Sequence, residues 1–170
     1  MNASDELDAT AQLEHLTAHA DAQALDDYLD SLSAAEAASA VAGLDGDDQQ
    51  RLLMKLVAED AACLLERLPD VQALELLENL PPQDAAAILD ELPSDQQADL
   101  IGELDHEDAE AILKELPREV ADEVRAMSRY DDDVAGGLML TEILSYPEHT
   151  TVREIIEDLG DNADEYRHYD

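Results

Sequence analysis

The stretch Leu80-Pro81-Pro82-Gln83-Asp84-Ala85-Ala86-Ala87-Ile88-Leu89-Asp90-Glu91-Leu92-Pro93 decides the fold. Its apolar positions are Ala85, Ile88, Leu89 and Leu92, an i, i+3, i+4, i+7 stripe on one helical face. Proline brackets it at both ends. A residue before proline is pushed out of the helical region, whereas proline itself suits the start of a helix. The segment therefore reads as one short helix with a stop on either side. The same unit recurs along the chain. Leucines stand at Leu32, Leu44, Leu56, Leu68, Leu80, Leu92, Leu104 and Leu116, and four are followed at once by Pro69, Pro81, Pro93 and Pro117. Ala61, Leu64, Leu65 and Leu68 repeat the stripe, as do Ala109, Ile112, Leu113 and Leu116.

Cap signals cluster at the unit boundaries. Ser33 with Glu36, and Ser94 with Gln97, have capping-box spacing. Asp47, Asp70 and Asp105 are the available caps where serine is absent. The units read as helices of about two to three turns joined by about three or four residues. Helices that short are unstable alone and must stack, so the economical architecture is a superhelix of α-hairpins. One continuous helix is the rival, and interior prolines at about 3 kcal/mol each argue against it. The N-terminal stretch reads as one longer helix carrying Leu13, Leu16, Leu25, Tyr28 and Leu29. Residues 1–9 are expected to be disordered, with the repeat domain over 10–128.

Composition narrows the function. There is no Trp or Phe, so the core is built from Leu, Ala, Ile and Val. The charge is −35, from 44 acidic against 9 basic residues. That excludes nucleic-acid binding through phosphates and disfavours anionic lipid. Two causes fit such acidity: a salt-loving source, or a cation site that needs only a few carboxylates. No uncharged run is long enough to span a membrane, which takes roughly 18 residues, and no apolar secretory signal opens the chain. Cys63 stands alone and reads as a partly buried small apolar residue. His15 and His19 are at i, i+4 without a third ligand and read as a solvated pair. No catalytic set or phosphate loop is present, so an enzyme is not expected.

The rhythm changes after Met127. Ser128-Arg129-Tyr130-Asp131-Asp132-Asp133-Val134-Ala135-Gly136-Gly137-Leu138-Met139 combines a charge run with paired glycines, the mark of a linker or sharp turn, here over 129–142. Ile143-Leu144-Ser145-Tyr146 then reads as a strand. Thr151 with Glu154 has capping-box spacing, and Val152, Ile155, Ile156 and Leu159 form another helical stripe. One strand and one helix cannot bury their own apolar faces. Residues 143–170 are expected to be the truncated start of a second domain.

At these residues the chain resembles the MgtE-type magnesium channels and transporters. The junction Ser128–Met139, with its Ala-Gly-Gly-Leu-Met, carries the resemblance most specifically. Thr141-Glu142 and Thr151-Val152-Arg153-Glu154 are similar to the opening of the family's first CBS domain. The fold this implies is all-α, a right-handed superhelix of short helical-hairpin repeats, followed by an incomplete CBS-domain fragment. The implied function is a Mg²⁺-sensing regulatory domain that binds Mg²⁺ at its interface with CBS domains and gates a pore. The implied partners are the CBS domains and membrane pore domain of the same full-length protein, a homodimer. The implied location is the cytoplasmic face of the cell membrane, with no membrane insertion by these residues and no nucleic acid.

The family's acidic ligand pair falls, by resemblance, within Leu92-Pro93-Ser94-Asp95-Gln96-Gln97-Ala98-Asp99, at Asp95 and Asp99. Carboxylates four apart share a helical face and repel, and a hydrated Mg²⁺ would relieve that repulsion. The spacing alone is weak evidence, since Asp99/Glu103, Glu91/Asp95 and several other pairs share it. Another family ligand aligns with Cys63, a departure, with Glu59 and Asp60 nearby. Without the CBS partner the ion site is expected to be weak or absent. The alternative reading is a helical-repeat interaction module like that of a flagellar motor switch protein, with a halophilic surface and no ion-sensing role.

Overall fold

A computed structural model describes residues 3–130, 134–135 and 144–161. Its helices are α1 (Ala3–His19), α2 (Ala22–Ser31), α3 (Ala34–Ala42), α4 (Gly46–Lys55), α5 (Ala58–Glu66), α6 (Asp70–Glu78), α7 (Pro82–Leu89), α8 (Ser94–Glu103), α9 (His106–Leu113), α10 (Arg118–Met127) and α11 (Val152–Asp161). No strand occurs among the described residues.

The repeat works as its spacing predicts. Leu44, Leu56, Leu68, Leu80, Leu92, Leu104 and Leu116 are all buried just beyond a helix end, while Leu32 packs half-buried against the core. At each Leu-Pro boundary proline takes the position before the first helical turn, and its carbonyl accepts the first helical bond. Ala73 N donates to Pro69 O at 3.0 Å, Ala85 N to Pro81 O at 3.0 Å, Gln97 N to Pro93 O at 2.9 Å and Ala121 N to Pro117 O at 2.9 Å. Having no N–H, proline leaves no donor unpaired there. The apolar stripes stack in two rows. Helix α1 packs on α2, α3 and α4; thereafter α5 packs on α7 and α7 on α9, while α6 packs on α8 and α8 on α10.

Several local expectations need correction. The N-terminal stretch is two helices rather than one. Asp21 accepts from Ala24 N at 3.0 Å and starts α2 afresh, so Leu13 and Leu25 reach the core from separate helices. The hydroxyl of Tyr28 donates to Ala9 O at 3.3 Å and ties the hairpin. The Ser33–Glu36 capping box forms, whereas the cap position of α8 is taken by Pro93 and Ser94 is the first helical residue. Gln97 is buried and turns back, donating from Nε2 to Leu92 O at 2.6 Å. The cap of α4 is Asp45, which accepts from Asp48 N at 2.8 Å, not Asp47. Asp70 sits inside the first turn of α6, and Asp105 precedes α9 without a side-chain cap bond.

The strand expected over Ile143–Tyr146 is not seen at Leu144–Tyr146. A lone extended segment has no ladder to join. The Thr151–Glu154 box does form, with Thr151 N donating to Glu154 Oε2 at 2.7 Å. The apolar stripe of α11 stays bare, with Val152 72% and Ile156 64% exposed. Most of the junction, 131–133 and 136–139, and the remaining tail from 162 lie outside the described residues.

An acidic cleft as candidate ion site

Stacking brings together carboxylates that are remote in sequence. The last turn of α5 supplies Glu66, the first residue of α6 is Asp70, and the exposed side of α8 supplies Asp99 and Glu103. All four line one open cleft of about 160 Å³ whose apolar surface includes Leu65, Leu68, Ala73 and Leu100. Gln96 completes the lining, and no basic residue is among these groups. Four like charges beside an apolar floor make a locus of strong negative potential.

The two residues singled out by resemblance are placed differently. Asp99 lines the cleft. Asp95 lies one turn earlier in α8, half-buried, outside the lining, and its Oδ1 accepts from Gln96 N at 2.8 Å. It belongs to the first turn of α8, where the helix dipole favours a negative charge. Glu66, Asp70 and Glu103 escaped the sequence reading. Glu103 was one of many acids at i, i+4 from another, and Glu66 and Asp70 join it only once α6 is known to stack on α8.

A second acidic neighbourhood adjoins the first. Cys63 is exposed as a residue, with its thiol partly covered, because it points away from the stripe formed by Leu64 and Leu65. Partial covering of its thiol, then Glu66, Asp60, Asp30 and Asp26, push its pKa up. It is therefore a protonated thiol and a poor nucleophile. Across from it, burial first and then Asp60, Asp30 and Asp27 raise the Asp26 carboxyl above its ordinary value. A raised folded-state pKa contributes stability that is present at low pH and lost as pH rises through the raised value. Asp26→Asn should therefore raise the thermal midpoint at about pH 7 and leave it nearly unchanged at about pH 3, where the aspartate is already protonated. Melting curves at the two pH values check this.

The donor chemistry suits a hydrated divalent ion. Mg²⁺ keeps several waters and takes one or two carboxylates directly. Among the described residues no three His, Cys, Asp or Glu groups converge on one bare-ion position, so full encapsulation by this domain is not what the geometry offers. The histidine pair is stacked, with ring centroids 4.7 Å apart, and His19 Nδ1 lies 3.0 Å from His15 O.

The model of the MgtE intracellular N domain family matches residues 32–133, more than half of the chain. The chain belongs to this family. That decides between MgtE and the flagellar switch as the source of the repeats. Two solved structures are similar to this MgtE-family chain. One, the soluble part of a magnesium transporter, is 26% identical with a TM-score of 0.76, covering 94% of this chain and 63% of its own. The other, the cytosolic domain of the Mg²⁺ channel MgtE in complex with ATP, is 28% identical with a TM-score of 0.74, covering 91% and 64%. The chain thus spans under two thirds of each. No curated protein matches it. No helix among the described residues is long and apolar enough to cross a membrane.

Proposed function

We propose that this MgtE-family chain is the magnesium-sensing regulatory part of a membrane magnesium channel or transporter, acting at the cytoplasmic face. The observation that carries the reading is Asp99, the family-aligned acid, in a cleft with three further carboxylates and no cation among its lining groups. A bound Mg²⁺ would supply a compact divalent charge and retain part of its water shell. Asp99 and Asp95 offer carboxylates one turn apart on α8. The remaining donors belong to CBS domains that follow in the full-length homodimer. With ions scarce, the acids of α8 repel acidic groups brought against them, and the superhelix is free to leave its partner. With ions abundant, the same acids hold the two surfaces together and the pore stays shut.

Ion flux through the reconstituted full-length protein tests this. Asp95→Asn with Asp99→Asn should raise several-fold the Mg²⁺ concentration, on the side of this domain, that halves the flux. An unchanged value would remove these residues from sensing.

A further inference from the structure

The boundary leucines set a register that α8 breaks. The fifth residue after each of them is alanine in six repeats, at Ala37, Ala61, Ala73, Ala85, Ala109 and Ala121, and glutamine in two, at Gln49 and Gln97. All six alanines are buried. A small residue at that place lets helices approach closely, since the spacing of packed helices follows the side chains at the contact. Gln49 is only half-buried, and its Nε2 donates to Val41 O at 2.9 Å. Gln97 is 6% exposed, so a long amide fills a place that the repeat otherwise gives to alanine.

The exception falls on the helix that carries Asp95 and Asp99. Among the described residues three polar side chains are buried, Thr17, Ser94 and Gln97, and the last two lie within the first four residues of α8. Leu92, whose carbonyl takes the Gln97 amide proton at 2.6 Å, belongs to the connection between α7 and α8. The bond therefore ties the body of α8 to the chain that enters it. Pro93, at the cap position, makes no side-chain cap bond. A buried amide satisfied in one geometry fixes that geometry, because other geometries leave donor and acceptor unpaired. Asp95 and Asp99 each stand two residues from Gln97, about 200° around the helix. The amide is thus anchored on the inner side of α8, behind the face that carries the two carboxylates.

We propose that Gln97 is a positioning residue for the ion response. It sets the start and rotation of α8, and through them the aim of Asp95 and Asp99. The inference rests on magnesium sensing by those two acids. It adds that the response depends on an uncharged, buried amide that does not touch the ion.

Mg²⁺ flux through the reconstituted full-length protein tests it, read as the Mg²⁺ concentration on the side of this domain that halves the flux. Gln97→Leu keeps the bulk and removes the amide. Gln97→Ala installs the residue that the repeat itself uses at this register, and stands in if the leucine variant fails to fold. Either should raise the halving concentration several-fold. Gln49→Ala, the same change at the same register in α4, should leave it unchanged. In a chain already carrying Asp95→Asn and Asp99→Asn, Gln97→Leu should add nothing, because a positioning residue acts only through the acids it aims, whereas general loosening of the fold would add its own effect. An unchanged value in the Gln97 variants, an equal shift in Gln49→Ala, or an additive shift in the neutralised chain would each overturn the inference. A shift from the two aspartate changes without one from Gln97 would sink the positioning role and leave magnesium sensing standing; no shift from either would sink both.

Discussion

Leu52→Ala lowers the stability of this domain by about 2–5 kcal/mol, the usual cost of emptying a fully enclosed leucine site. Leu52 has no exposed surface. It lies in α4, which packs against α1, and its neighbour Leu53 is buried as well. The chain contains no Phe or Trp, so aliphatic leucines carry most of the packing. Met54, two residues on, is 57% exposed. Met54→Ala should stay within about 0.5 kcal/mol, as surface changes do. Urea unfolding of both variants in the same high-salt buffer separates them. Equal effects would mean that the repeat stripe does not face the core.

The second large effect is at Gly43. It caps α3 with φ −80° and ψ −15°, an ordinary helical conformation open to any residue. By chain entropy alone, Gly43→Ala would stabilise the protein by about 0.4–1 kcal/mol. Space reverses the sign. A β-carbon there would come within 2.6 Å of Thr10 Oγ1 and 2.7 Å of Thr10 Cγ2. Thr10 is β-branched and stiff, and α1 is pinned against α3, so overpacking of about 1–3 kcal/mol is expected. Thr10→Ala in the same chain removes both of the nearest atoms and should recover most of the loss. A double-mutant cycle measures the coupling. Gly43→Ala that stabilises would show α1 undocked.

The main architecture was legible because it depends on periodicity. Leucines every twelve residues and prolines after four of them determine where helices stop, and the buried stripes at Leu64/Leu65, Leu76/Leu77 and Ile88/Leu89 follow. What failed was local and chemical. The break at Asp21 was hidden because Leu13, Leu16, Leu25 and Leu29 preserve an apolar face across it. Ser94 and Gln97 have the letters of a capping box, but Pro93 moved the helix start by one residue and buried both side chains. The cleft was half legible. Asp99 came from a family resemblance, whereas Glu66 and Asp70 needed the stacking of α6 on α8, which no spacing within one unit reveals. Cys63 is more open than its reading as a small apolar residue because it lies one residue before Leu64/Leu65, off the buried stripe.

The central claim is that the acids of α8 respond to magnesium as an ion and not merely to salt. Its most direct test is the thermal midpoint of the chain extended through the CBS domains proposed to follow it, in millimolar MgCl₂ and in NaCl of equal ionic strength. The account predicts a higher midpoint in MgCl₂, since a ligand bound only by the folded state adds stability beyond screening. Asp95→Asn with Asp99→Asn should shrink that difference. Equal midpoints in the two salts, in the unaltered protein, would contradict it.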